Sequence, residues 1–337
     1  MRRREARMEV LEQGIGRLFT DPDADKAREF FRKKSRRMEN KFMTLKDAIA
    51  KYVHDGDYLA IGGFGATRSP IAACHEIVRQ GRKKLGFCGH AVTHDFQILA
   101  AGKCFNRLDV GYIVGLEARG LSMVARKHME SGEVEVTEWT NYCLSARIKA
   151  AAMGVSFVPI RNIMGTDTFK YSGAKKIKCP FTGQYYVLMP ALYPDVSVIH
   201  VHEADIYGNS RIRGITISDL DLARASKHLI ITTERIVSTE TFRNEPTYTS
   251  IPFYLADAVC EVPFGSYPGN MPYEYFSDEE HLGEWLQTEK DAGAFEKFLE
   301  KNIYSCETHF DYIRKNGGIE RMFKLRAKEL RVDNNAE

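Results

Sequence analysis

No C-x-x-C pair occurs among the seven cysteines of this 337-residue chain. Cys74, Cys88, Cys104, Cys143, Cys179, Cys260 and Cys306 are scattered and odd in number. That pattern excludes a disulfide framework and points to reduced thiols in the cytoplasm, most of them buried as small apolar residues. No apolar run reaches about 18 residues, so no membrane span is expected. The first residues also lack an apolar signal core, which argues against export. G-x-S-x-G and G-x-x-x-x-G-K-[ST] are missing, and with them the main signals of serine hydrolases and P-loop proteins. There is no internal repeat and no low-complexity tract.

Charge of one sign is also scarce. The net charge is +3, against 44% hydrophobic and 28% charged residues, an ordinary soluble composition. Residues 1–42 hold 13 Lys and Arg against 8 Asp and Glu, giving +5. Acids interleave with the bases there, so this piece reads as a solvated amphipathic helix or a partner-docking arm. A nucleic-acid partner calls for a larger, coherent basic excess and is not expected.

What remains is a regular alternation. Strand-like runs at Tyr58–Ile61, Leu85–Cys88, Leu108–Val114, Val134–Val136, Phe157–Ile160, Val196–Val201 and His228–Thr233 alternate with helical ones. The helical stretches run over Pro70–Gln80, Phe96–Ala101, Met123–Met129, Asn141–Met153 and Asp219–Ala225. This implies an α/β fold: a mostly parallel, open sheet with helices on both faces. Residues 1–42 form a charged helical extension, with a helix from Asp21-Pro22 running through Met38. Residues 43–276 form the α/β domain. Residues 277–337 form a helical segment packing on it, opened by a Ser277/Glu280 capping box. Gly165–Pro190 reads as a long excursion with a hairpin.

The most informative stretch is Asp57–Gln80, DYLAIGGFGATRSPIAACHEIVRQ. A buried strand runs into Gly62-Gly63-Phe64-Gly65, then into a helix that Ser69 can cap and Pro70 can open. Glycines there let backbone N–H groups approach an anionic ligand near a helix N-terminus; equally, they can merely close a β–α connection. Glu117, in a loop after a strand with Arg119 two residues on, is either a nucleophile toward a thioester or half of a surface ion pair. Asn141 opens a helix, as a cap or as an amide donor to a developing oxyanion. His90 with His94, and His200 with His202 near Asp205, have metal-like spacing, but neither pair sits in H-E-x-x-H, and no metal is expected. Asp205-x-Tyr207-Gly208-Asn209 reads as a tight turn or a ligand loop.

Several motifs occur in one order: DGDYLAIGGFGATRSP, SGEVEVTEWTNYCLSARIKAAAMGVSFVPI, GTD, MPALYPDVSVIHVHEADIYGN and ASKHLIITTERIV. Together, over about residues 41–315, they resemble the A (α) subunits of family I CoA-transferases, most closely the glutaconate CoA-transferase A-subunit type. The resemblance implies the CoA-transferase (NagB/RpiA-like) fold and CoA transfer from an acyl-CoA to a free carboxylate. It implies a glutamate nucleophile carried by a partner B (β) subunit, hence a hetero-oligomer. It implies no permanently bound cofactor, coenzyme A thioester being substrate. By the same resemblance Gly62, Gly63, Phe64 and Gly65 line the active-site crevice with backbone donors. Beside those glycines, Arg68 and Ser69 are the nearest side chains able to pair with the far end of a dicarboxylate, an inference from their place and not from the resemblance itself. Gly165 and Thr166 sit in a loop at the crevice, and Asn141 stands where relatives carry an oxyanion-hole glutamine. A glutamate occupies that position in the ring-opening hydrolase branch, so Asn141 favours transfer. Glu117 is the minor alternative nucleophile.

Overall fold

The computed structural model describes residues 9–113 and 119–331. In chain order its strands are β1 (Val10–Gln13), β2 (Tyr58–Ile61), β3 (Leu85–Cys88), β4 (Phe105–Val110), β5 (Glu135–Glu138) and β6 (Phe157–Ile160). Next come β7 (Lys175–Lys178), β8 (Tyr185–Pro190), β9 (Val196–Ala204), β10 (Ser210–Arg211), β11 (His228–Ile236) and β12 (Ala258–Glu261). The main sheet has the order β12-β11-β9-β2-β3-β4-β5 and is parallel along that path, with β10 antiparallel on β9. Every residue of β2 and of β9 is buried, as a sheet covered on both faces requires.

Alternate residues of β2 feed two cores. Leu59 and Ile61 pack with helices Ile71–Arg79 and His94–Ala101. Tyr58 and Ala60 pack on the other face with helices Asn141–Met153 and Asp219–Ala225. The second face also buries a charge. Asp109 accepts from the Tyr58 hydroxyl, from Trp139 Nε1 and from Arg147 Nη1, the last at 2.8 Å, and the Arg147 guanidinium lies 4.2 Å from the Trp139 ring centre. These bonds tie helix Asn141–Met153 to β2 and β4, so Asn141 is held at a fixed height above the sheet.

Some boundaries differ from the sequence reading. Phe157–Ile160 is a strand, but it belongs to a second, antiparallel sheet of order β1-β7-β8-β6. Its alternation gives no clue to which sheet it joins. The expected hairpin between Gly165 and Pro190 is β7–β8. β4 starts three residues earlier than expected, at Phe105, and β12 has no counterpart in the sequence reading. The N-terminal arm docks on its own chain: β1 pairs with β7, and the helix spans Ala24–Lys33, stopping short of Met38. Lys34 caps that helix through its backbone N–H, and its largely covered side chain pairs with Asp257 at 2.7 Å. Among the described residues no helix is long and apolar enough to cross a membrane.

From Glu279 to Leu330 the chain is mainly helical, but Asp278, not Ser277, caps the first of these helices by accepting from His281 N. Tyr312, Met322 and Leu325 of this segment pack on Tyr267, Met271 and Tyr275. The buried Glu289 carboxylate reaches back to cap helix Met123–Glu130, accepting from Ser122 Oγ and Met123 N, each at 2.7 Å. Glu289→Ala removes this cap and leaves two donors near a helix N-terminus. We expect a loss of about 1–2 kcal/mol in urea unfolding, with activity unchanged. A cost below about 0.3 kcal/mol would show that Ser122 alone suffices as the cap.

Candidate functional site

The carboxyl ends of β2, β3 and β4 lie side by side, and the loops leaving them converge. After Ile61 the chain turns through Gly62–Gly65. A Cβ on Gly62 would stand 2.6 Å from Asp219 Oδ1, and at Gly63 (φ +85°) it would stand 2.6 Å from Thr67 O. Only glycine fits both positions. The four N–H groups of this turn are all bonded within the chain. Gly62 donates to Val198 O (2.9 Å), Gly63 to Asp219 Oδ1 (2.9 Å), Phe64 to Thr67 O (3.0 Å) and Gly65 to His90 O (3.2 Å). The expectation of free backbone donors is therefore corrected: the glycines serve close packing around a buried carboxylate. What the turn presents outward is the Phe64 ring, 37% exposed.

Arg68 is corrected as well. Its side chain is wholly buried, bonded to Asp219 at 2.7 and 3.2 Å and to the Ile215 carbonyl. Facing inward, it holds the turn to the loop before helix Asp219–Ala225 and does not reach a ligand. Ser69 donates to Gly65 O at 2.9 Å and does not cap the helix; Pro70 occupies the N-cap position. Both side chains stabilise the turn from behind.

Asn141 faces the same loops. The helix cap is Thr140, whose Oγ1 accepts from Cys143 N, so Asn141 is free of that duty. Its Oδ1 accepts from Ala91 N at 3.2 Å, which fixes the carboxamide with Nδ2 as its donor end. Gly111, just past β4, makes room for it: a Cβ there would stand 2.8 Å from Asn141 Oδ1. A half-buried amide donor thus stands beside the loop that follows β3.

Gly165 is exposed with φ +73°, and Thr166 caps helix Asp167–Tyr171 through Phe169 N. Asn162, three residues earlier, donates to Thr140 Oγ1 at 3.3 Å, which brings this segment to the end of the helix that carries Asn141. Glu117 lies outside the described residues. Three of the four paired histidines have other partners: His94 meets Gln97 Oε1 at 3.0 Å, His200 meets Glu234 and Thr232, and His202 meets Pro272 O. No group of three or more His, Cys, Asp or Glu able to hold a metal occurs among the described residues. Asp205 accepts from Tyr207, Gly208 and Asn209 N, a tight turn with Gly208 at φ +105°.

Two residues escape recognition in the sequence. Asp219 organises the glycine turn, yet it reads as an ordinary first-turn acid. His90 sits at the convergence of the loops, and its spacing to His94 suggests a metal pair instead. A cleft of about 370 Å³ lies elsewhere: Phe19, Lys26, Tyr193 and Lys227 line it at the amino-terminal ends of β9 and β11.

A family model described as Coenzyme A transferase matches residues 42–262. The chain is 45% identical to an uncharacterized protein of Archaeoglobus fulgidus, over 96% of this chain and 72% of that one. It is 32% identical to the A subunit of glutaconate CoA-transferase from Acidaminococcus fermentans, over 82% of this chain and 92% of the relative. The crystal structure of that glutaconate coenzyme A-transferase aligns with a TM-score of 0.80, covering 85% of this chain and 95% of the other. The decarboxylase AibA/AibB, solved as a cysteine-to-serine variant, aligns with a TM-score of 0.70 at 29% identity, covering 77% and 97%.

Proposed function

Because this chain belongs to the coenzyme A transferase family, we propose that it is the A subunit of a cytoplasmic, two-subunit enzyme moving CoA from an acyl-CoA to glutaconate, another dicarboxylate or a 3-oxo acid. The chemistry divides between two chains. The nucleophile is a glutamate of the B subunit: it attacks the thioester carbonyl, expels CoA thiolate and forms a mixed anhydride. The thiolate returns to the glutamyl carbonyl, releasing the first acid as its carboxylate and leaving a glutamyl-CoA thioester. The second acid reverses these steps and leaves as the new acyl-CoA. Each exchange keeps the thioester's energy from hydrolysis.

This chain supplies the floor of the site. Asn141 Nδ2, held by the Ala91 bond, donates to the oxygen that becomes an oxyanion when the thioester is attacked. Phe64 and the Gly165–Thr166 segment border the acyl and CoA groups. The observation that carries the reading is the position of this oriented amide. It stands at the carboxyl ends of parallel strands in a chain aligned over 82% of its length with the A chain of a glutaconate CoA-transferase.

The test is co-expression with a B-type partner, followed by an exchange assay using labelled CoA thioester. Label arriving on a second acid supports transfer, and free CoA alone indicates a hydrolase. Because the decarboxylase AibA/AibB shares the fold, released CO₂ is measured alongside. A chain that stays alone and inert with every B-type partner would be a ligand-binding homologue. In the active complex, Asn141→Ala is expected to lower kcat by up to roughly 10²–10³, the range for losing one oxyanion donor. An unchanged rate would reduce Asn141 to an anchor for Ala91.

A further inference from the structure

His90 follows β3 by two residues, between the glycine turn and Asn141. Its carbonyl accepts from Gly65 N at 3.2 Å, and the next residue, Ala91, donates to Asn141 Oδ1 at 3.2 Å. The backbone thus stitches this one residue to both halves of the candidate site. Its side chain is 5% exposed, and neither Nδ1 nor Nε2 has a hydrogen-bond partner. An unpaired buried polar group costs about 1–3 kcal/mol, so such groups in native proteins call for a reason. Most other buried histidines here have one: His94, His128, His200, His202, His281 and His309 each find a partner within 3.0 Å, while His75, with Nδ1 unpaired, packs edge-on against the Tyr312 ring.

We infer that His90 is a substrate-contacting residue, whose neutral imidazole donates one N–H to the acyl oxygen of the CoA thioester, opposite Asn141. The inference rests on the transfer reading above and adds a residue to it. The chemistry is consistent on both sides. Burial holds the imidazole pKa down at about 4, opposed by the nearby Asp219 carboxylate, so the ring is uncharged at neutral pH. An uncharged imidazole keeps one donor for a carbonyl or carboxylate oxygen and one acceptor for an N–H or hydroxyl. A thioester, with its oxygen acceptor and the amide N–H groups of the pantetheine arm, offers both. A neutral imidazole can polarise a carbonyl without first giving up a proton. The left-handed backbone at Ala91 (φ +48°) matches a loop shaped to hold the ring and the Asn141 contact at once.

The test compares His90→Leu and His90→Asn in the complex with the B subunit. His90→Leu removes both nitrogens, and His90→Asn restores a neutral donor. For Leu we expect kcat to fall about 10–100-fold with KM changed less than about threefold, and a thermal midpoint equal to or above wild type, because an unpaired polar group has left the interior. Asn recovers part of the rate. An unchanged kcat, or a lowered midpoint that accounts for the lost activity, would overturn the proposal in favour of a packing role. A second readout needs no turnover: ¹⁵N signals of the His90 ring shift when an unreactive acyl-thioether analogue of CoA is added to the wild-type complex. A shift in a complex that transfers no CoA would keep His90 as a ligand contact and sink the reaction reading. Transfer without any shift or rate effect would do the reverse.

Discussion

Acidification from pH 7 to pH 4.5 is expected to unfold this protein cooperatively, as its buried histidines are forced to take up protons. Burial holds the pKa of His90, His94, His202 and His309 at about 4 and that of His281 at about 3. Unfolded, each returns to about 6.5. Between about pH 6.5 and 4 the unfolded chain therefore binds protons that the folded chain refuses, and stability falls as pH falls. One group opposes this. Burial, against backbone bonds from Phe96 and Thr93, raises the Asp95 carboxyl to about 6, so the folded chain holds an extra proton there. Those five histidines less Asp95 make about four protons, or roughly 5 kcal/mol per pH unit, and His75, pushed well below its ordinary value by burial, adds in the same direction. Two units of that slope match the whole stability of a typical domain, about 5–15 kcal/mol. Urea midpoints followed by circular dichroism at pH 7, 6, 5 and 4.5 measure it. Equal midpoints at pH 7 and 5 would contradict these buried, uncharged rings.

The second large effect is expected at the glycine turn. Arg68→Met leaves the Asp219 carboxylate wholly buried, with Gly63 N–H as its remaining donor. Breaking a buried pair from one side costs about 3–5 kcal/mol, because the surviving charge is uncompensated. The same change frees the Ile215 carbonyl, so the loop before helix Asp219–Ala225 loses its tie to the turn. In Arg68→Met/Asp219→Asn the stranded charge is gone, and at least half of the stability should return. Activity need not return with it, since Asp219 also orders Gly63. A single-variant loss under about 1 kcal/mol in urea unfolding would mean that the pair contributes little, and the double variant would then show nothing to recover.

Much of the fold is legible in the sequence because local chemistry and tertiary place agree in a covered parallel sheet. Tyr58–Ile61, Val196–Val201 and His228–Thr233 carry apolar residues on both faces, which suits a covered sheet. Helices Asn141–Met153 and Asp219–Ala225 have the bounds expected from the sequence. Phe157–Ile160 joins a different sheet from the one its place in the alternation suggests, since a short strand carries no mark of its neighbours. The N-terminal arm misleads for a related reason. Its bases look solvent-facing, yet the side chain of Lys34 is largely covered, where Asp257, over two hundred residues away, pairs with it.

The site divides along the same line. Gly62–Gly65 and Asn141 are visible as residue types with special backbone or amide chemistry, and their neighbourhood follows from the strand–helix order. Their duties are not visible. Whether an N–H group is free, whether a guanidinium faces out or in, and whether a histidine has a partner all depend on residues remote in the chain. Arg68, expected to meet a substrate, meets Asp219; His90, spaced as if to pair with His94, has no hydrogen-bond partner, while His94 meets Gln97.

By itself, then, the order of residues determined the layered α/β architecture, the family, and the loop on which ligand chemistry would centre. These follow from periodicity and from motifs only a few residues long. Tertiary structure alone decided which donors remain open, since hydrogen bonds saturate: a group bonded to Asp219, Val198 or Thr67 has no capacity left for a ligand, and that pairing is settled only when distant segments meet.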